Sequence, residues 1–168
     1  RLAAGQEHAE AGKKLNKLSK KRIKRISPDN SKVVAKNLPI KNTESFQSGL
    51  NAFNNKDYKT AHILFSQLAE KGDANAQYTL GLMYGKGHGV PKDNSKAIEW
   101  WQLAADQGNG KAQTNLGWMY EKGKGVPKDT QKAQKWYQLA SDQGVSKAQE
   151  KLNLLLNKES DTSTTSTK

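Results

Sequence analysis

A chain of 168 residues with 34% hydrophobic side chains, a formal net charge of +12 and no cysteine has material for one modest folded core, with chain to spare. The absence of cysteine excludes disulfides, thiolate metal sites and a cysteine nucleophile, and it leaves the compartment open, because a disulfide-free fold persists on either side of a membrane. The longest aliphatic run, Leu154 to Leu156, falls far short of the ~20 apolar residues that a membrane-crossing helix requires. Because the chain opens at Arg1 and not at a methionine, an upstream piece is expected to have been removed. If that piece was a signal peptide, the expected location is the periplasm or envelope of a bacterium, and otherwise the cytoplasm.

Charge is unevenly spread. Residues 1–43 hold 12 Lys and Arg against 3 acids, a net of +9, and residues 44–168 hold 16 against 13, a net of +3. The densest part of this N-terminal arm sets Leu15, Leu18, Ile23 and Ile26 among Lys13, Lys14, Lys17, Lys20, Lys21, Arg22, Lys24 and Arg25, the pattern of a basic amphipathic helix. Clustered cations bind phosphate without reading sequence, and interleaved leucines suit a lipid interface, so nucleic acid or an anionic membrane is a partner class for Lys13 to Arg25. Against it, the segment has no Phe, Tyr or Trp for base stacking. Ser27-Pro28-Asp29-Asn30 breaks any helix, and residues 31–42, with Pro39, read as linker.

From residue 44 the chain repeats itself. A period of 36 aligns Gly72 with Gly108 and Gly144, Ala76 with Ala112 and Ala148, Gln77 with Gln113 and Gln149, and Leu80 with Leu116 and Leu152. Between these anchors Gly81, Met83, Tyr84, Gly87, Gly89, Val90, Pro91, Asp93, Ala97 and Trp100 return as Gly117, Met119, Tyr120, Gly123, Gly125, Val126, Pro127, Asp129, Ala133 and Trp136. A fixed period of this length means stacked supersecondary units, each too small to bury its own apolar face. The expected units are 44–72, 73–108 and 109–144, followed by a capping helix over 145–157 and a disordered Ser/Thr tail over 158–168.

Each unit reads as two helices. The first, helix A, is predicted over about 74–84, with Ala76, Leu80, Met83 and Tyr84 at helical spacing and Asp73 as its cap. Gly81 in mid-helix costs about 1 kcal/mol against alanine, and its return as Gly117 points to a partner helix packed too closely for a Cβ. After a glycine loop, Asp93 caps helix B, predicted over about 94–107, whose Ala97, Trp100, Trp101, Ala104 and Ala105 form one stripe. Trp100, Trp101 and Trp136 are expected in the core.

The string from Ala76 to Trp100, repeated from Ala112 to Trp136, resembles the Sel-one-like repeat, a relative of the tetratricopeptide repeat. Residues 46–71 resemble a tetratricopeptide-type unit, with Gly49, Phe53, Tyr58, Ala61 and Phe65 in matching places and a shorter inter-helix turn. The third copy departs from the pattern, with Asn153 for the glycine and Leu156 for the tyrosine, as suits a terminal helix. The resemblance implies an all-α fold, a right-handed superhelical α/α solenoid with a terminal cap. It also implies a non-catalytic adaptor or scaffold that holds a partner protein or peptide in a concave groove lined by the A helices, or a dedicated inhibitor or immunity partner of a secreted bacterial effector. The groove positions that the repeat consensus leaves free are Phe46 and Leu50 in the first unit, Asn75, Tyr78, Leu82 and Lys86 in the second, and Lys111, Thr114, Trp118 and Lys122 in the third. The capping helix adds Lys147, Glu150 and Leu154. Trp118 leads this set, because aromatic residues on a groove are frequent interface anchors; the structural alternative is that it packs against Tyr78 or Leu82.

Nothing in the chain reads as catalytic machinery, and no metal, cofactor or small-molecule substrate is expected. His8, His62 and His88 lie in the arm, on a helix B surface and in an inter-helix loop, without metal-ligand spacing; His88, replaced by Lys124 one unit later, is expected to be solvated. Neither glycine-rich loop precedes a Lys-Ser/Thr pair or follows a strand, as a phosphate cradle would. Asp93 and Asp129 each cap a helix in their own unit, and no nucleophile, base and orienting group assemble.

Overall fold

A computed structural model of the protein describes residues 45–164, with side chains to Lys158. The basic arm and its linker, residues 1–43, lie outside the described residues. Seven helices follow one another among the described residues: α1 (Phe46–Asn54), α2 (Tyr58–Glu70), α3 (Ala74–Lys86), α4 (Asn94–Asp106), α5 (Gly110–Lys122), α6 (Thr130–Ser141) and α7 (Ser146–Thr164). There is no strand among the described residues.

The helix starts are written into the sequence. Ser45, Asp57, Asp73, Asp93, Asn109 and Asp129 cap α1 to α6, each accepting from the backbone N–H three residues on. The Asp73 carboxylate lies 2.8 Å from the Ala76 nitrogen and that of Asp129 2.9 Å from the Lys132 nitrogen. Each such cap contributes about 1 kcal/mol. The A helices α3 and α5 run one turn's fraction past the Tyr84 boundary, to Lys86 and Lys122, where Gly87 and Gly123 close them in the left-handed conformation.

Every helix packs on the one before it and the one after it in the chain, so the molecule is an α/α solenoid of the helix pairs α1/α2, α3/α4 and α5/α6, closed by α7. Within a pair the approach is set by a glycine on the A helix. A Cβ at Gly81 would stand 2.3 Å from the Trp101 indole, at Gly117 2.6 Å from the Tyr137 ring and at Gly49 2.6 Å from the Phe65 ring. Trp101 uses the space to donate its indole N–H to the Tyr78 carbonyl at 3.1 Å.

Between pairs the join is a buried glutamine. Gln77 donates to the Ala69 carbonyl at the end of α2 (3.1 Å) and accepts from Gln107 beyond α4 (2.7 Å). One repeat later Gln113 donates to Ala105 (3.2 Å) and accepts from Gln143 (2.7 Å). Both glutamines are buried, and each side-chain amide has its donor and acceptor partnered, as a buried polar group requires, by adding a bond to carbonyls that also accept from Gly72 and Gly108.

One large cluster, including Phe65, Leu80, Met83, Trp100, Trp101, Leu116 and Met119, fills α2 to α5, and a smaller one of Ala133, Tyr137, Ala140, Ala148, Leu152 and Leu155 seats α7 on α6. Trp100 and Trp101 are core residues as expected, whereas Trp136 is only half-buried at the edge of the larger cluster. The Ser/Thr tail also departs from expectation: α7 continues past 157 to Thr164. Once the Ala148, Leu152 and Leu155 seam nucleates the helix, extending it by further residues costs little.

The glycine contact predicts its own test. In Gly81→Ala, overpacking of up to ~3 kcal/mol outweighs a helix-propensity gain of ~1 kcal/mol. Thermal unfolding by circular dichroism should show a clear drop in Tm for Gly81→Ala and a smaller one for Gly85→Ala, where the added Cβ meets Trp101 at 3.3 Å.

Candidate functional site

The A-helix surface is organised by the same glycines. Leu50, Leu82, Trp118 and Leu154 each follow Gly49, Gly81, Gly117 or Asn153 by one residue, so one apolar side chain per A helix recurs in one register. Phe46, Tyr78, Thr114 and Glu150 form a second column, and Lys111 and Lys147 stand in the place of Asn75. Adjacent A helices are tied side by side: the Asn109 amide donates to Asn75 at 3.3 Å, and the Tyr78 hydroxyl is hydrogen-bonded to Asn115. Burial lifts the Tyr78 hydroxyl above its usual pKa, against the opposing pull of that bond.

The thirteen sequence-selected positions do not share one environment. Phe46, Leu50, Tyr78 and Leu82 are half-buried and packed on the larger cluster, Phe46 with its ring 5.3 Å from that of Phe65. Asn75, Lys86, Lys111, Lys122, Lys147, Glu150 and Leu154 are exposed. Thr114 is corrected: it is buried, and its hydroxyl donates to the Gly110 carbonyl at 2.8 Å, so a side chain short enough to bond back to its own helix offers no surface.

Trp118 and Leu154 are two of the four large exposed apolar side chains among the described residues, at 36% and 53% exposure. The Lys124 ammonium lies over the Trp118 ring, 4.7 Å from its centre. The remaining two, Leu139 and Leu156, are absent from the sequence-selected set. Leu139 stands where Leu103 is buried one unit earlier, and the 36-residue alignment, whose third copy is degenerate from Asn153 on, was the signal for it.

The polar groups around α5 are internally spent. The Tyr137 hydroxyl donates to Glu121 at 2.9 Å, and Lys122 pairs with the same carboxylate at 2.6 Å. Burial, seconded by Glu121, pushes the Tyr137 hydroxyl up; Lys122, Tyr137 and Lys151 together hold the Glu121 carboxyl below its usual range despite its desolvation.

Both described histidines lie on the elements expected, His62 on α2 and His88 in the loop between α3 and α4, but neither is solvated. His88 is half-buried, stacked on Tyr58 (4.7 Å between ring centres) and edge-on to Phe53 (5.6 Å). The short turn of the first unit leaves those rings open to the loop of the second. His62, expected on a surface, is half-buried and 3.3 Å from the Tyr84 hydroxyl. Among the described residues no group of three or more His, Asp or Glu side chains converges as a metal site, and no helix is long and apolar enough to cross a membrane.

The stacked helix pairs define an α-solenoid repeat protein. The Sel1 repeat model matches residues 54–73, 74–109 and 110–145, and the chain belongs to that family. Members serve generally as non-catalytic scaffolds for protein–protein interaction. The chain is 37% identical to a Sel1 repeat protein of Oxalobacter formigenes (TM-score 0.64), over 66% of this chain and 46% of that one. It is also 37% identical to c5321, a protective antigen of uropathogenic Escherichia coli with an SLR fold (TM-score 0.61), over 72% of this chain and 26% of that one. It therefore spans less than half the length of either. No curated protein is similar enough to count as a match.

Burial first, then the charge of Lys96, holds the His62 pKa below its usual 6.5. The unfolded chain then binds the proton more readily than the folded one, so stability falls as pH drops through and below that value. His62→Gln should shrink the loss of Tm between about pH 7.5 and about pH 5.5; an unchanged loss would show that His62 is not its source.

Proposed function

We propose that the protein is a non-catalytic adaptor whose A-helix face holds a segment of a partner protein, with Trp118 as the central anchor. The observation that carries this reading is the register Leu82, Trp118, Leu154: a large apolar side chain repeated at one position of the A helices, half-buried against the core at Leu82 and left exposed at Trp118 and Leu154. Truncating an aromatic anchor in an interface costs on the order of 2 kcal/mol or more. Phe46, Leu50, Tyr78 and Leu82 would line the N-terminal half of the same surface, and Asn75, Lys86, Lys111, Lys122, Lys147 and Glu150 would form its polar rim.

A second reading rests on the +9 charge of residues 1–43, which suits phosphate-bearing surfaces such as nucleic acid or anionic membrane. The two are separated by salt and by site. Trp118 and Leu154 are exposed, so Trp118→Ala and Leu154→Ala leave the core intact. In affinity purification from native extract, the adaptor reading expects a partner retained at high salt by the full chain and weakened roughly tenfold or more by Trp118→Ala, a loss of about 1.4 kcal/mol. Retention insensitive to both substitutions, but abolished by salt or by neutralising Lys13 to Arg25, would move the function to the arm.

A further inference from the structure

The A-helix face has a charge as well as a shape. Of its charged positions, four are lysines (Lys86, Lys111, Lys122 and Lys147) and one is acidic, Glu150. Lys122 is already paired with Glu121. Lys86, Lys111 and Lys147 are exposed and make no ion pair among the described residues. Lys124 lies against the Trp118 ring and makes no ion pair among the described residues. Glu121, the one carboxylate on α5, is consumed by Tyr137 and Lys122 and sits in the field of Lys151. A face that displays apolar side chains in its centre and unpaired ammonium groups around them is complementary to a chain of opposite charge that also carries apolar side chains.

Resting on the adaptor reading above, we propose that the occupant of this face is an acidic segment of a partner protein, with a leucine-like or aromatic residue at every third position and Asp or Glu between. The spacing follows from the solenoid. Successive A helices are bridged by the Asn109–Asn75 and Tyr78–Asn115 side chains, which sets them about 10 Å apart, and a chain in the polyproline-II conformation advances ~3.1 Å per residue with three residues per turn, so side chains at every third position share one face and step from one A helix to the next. Leu82, Trp118 and Leu154 receive the apolar residues. Lys86, Lys111, Lys124 and Lys147 receive the carboxylates. A nucleic acid offers the same negative charge, but in the central register only Trp118 gives a base a π-face to stack on, Leu82 and Leu154 giving none, and no arginine occurs after Arg25.

The test uses the full chain and fluorescent twelve-residue peptides read by anisotropy: an acidic one with leucine at every third position, its Asn/Gln counterpart, an acidic one with the leucines shuffled, and a single-stranded oligonucleotide of equal charge. The expected order is acidic-patterned tightest, with both altered peptides roughly tenfold weaker, since three exposed charge pairs at up to ~1 kcal/mol each reach that factor. The combined Lys86→Gln, Lys111→Gln and Lys147→Gln variant should lose about the same factor for the acidic-patterned peptide, while neutralising three lysines of the arm (Lys13→Gln, Lys17→Gln and Lys20→Gln) should leave it bound. Equal binding of the neutral and acidic peptides, both lost with Trp118→Ala, overturns the acidic occupant and leaves the adaptor face standing. Peptide binding untouched by Trp118→Ala overturns the adaptor face itself. Tighter binding of the oligonucleotide, lost with the groove lysines, overturns the peptide in favour of nucleic acid.

Discussion

The contact on which the rest of the structure depends is a bare glycine on each A helix beneath an aromatic ring on its B helix. Gly49 under Phe65, Gly81 under Trp101 and Gly117 under Tyr137 bring the helices of each pair closer than any Cβ permits, and the chain accepts about 1 kcal/mol of helix propensity per glycine to do so. Large rings dropped into these gaps bury much apolar area, which offsets that cost and fixes the rotation of both helices. The rotation in turn decides which residues face inward to the core and which line the surface of the A helices.

The buried glutamines Gln77 and Gln113 act at the next level, between pairs. Each donates to the carbonyl at the end of the preceding B helix and accepts from the side-chain amide that follows its own B helix. At the third position the pattern dissolves. Gln149 is exposed, accepts from Ser141 and donates to Asn153, and Asn153 stands where a glycine would admit another ring. Among the described residues no further pair stacks there, and Leu139 and Leu156 are exposed.

Much of this was legible in the sequence. The 36-residue period, the caps at Asp73, Asp93 and Asp129 and the reason for Gly81 are local or periodic, and periodicity survives folding. What was not legible depends on how unequal units meet. His88 reads as a solvated loop residue until the short turn of the first unit leaves Phe53 and Tyr58 open beneath it. Thr114 occupies a free consensus position, yet its short side chain turns back to the Gly110 carbonyl, whereas Tyr78 in the same column reaches across to Asn115. Trp118, by contrast, is exposed where Leu82, beside Gly81 in the same register, is half-buried.

The central claim is that the A-helix face, not the B-helix surface, meets the partner. Site-specific photocrosslinking answers it directly, with a photoreactive phenylalanine analogue placed in turn at Leu154 on α7 and at Leu139 on α6, both exposed. The account predicts that the same partner protein is crosslinked from position 154 and not from position 139, the adduct disappearing when Trp118→Ala is combined with the probe. Adducts arising from position 139 alone would contradict it and place the interface on the B-helix side.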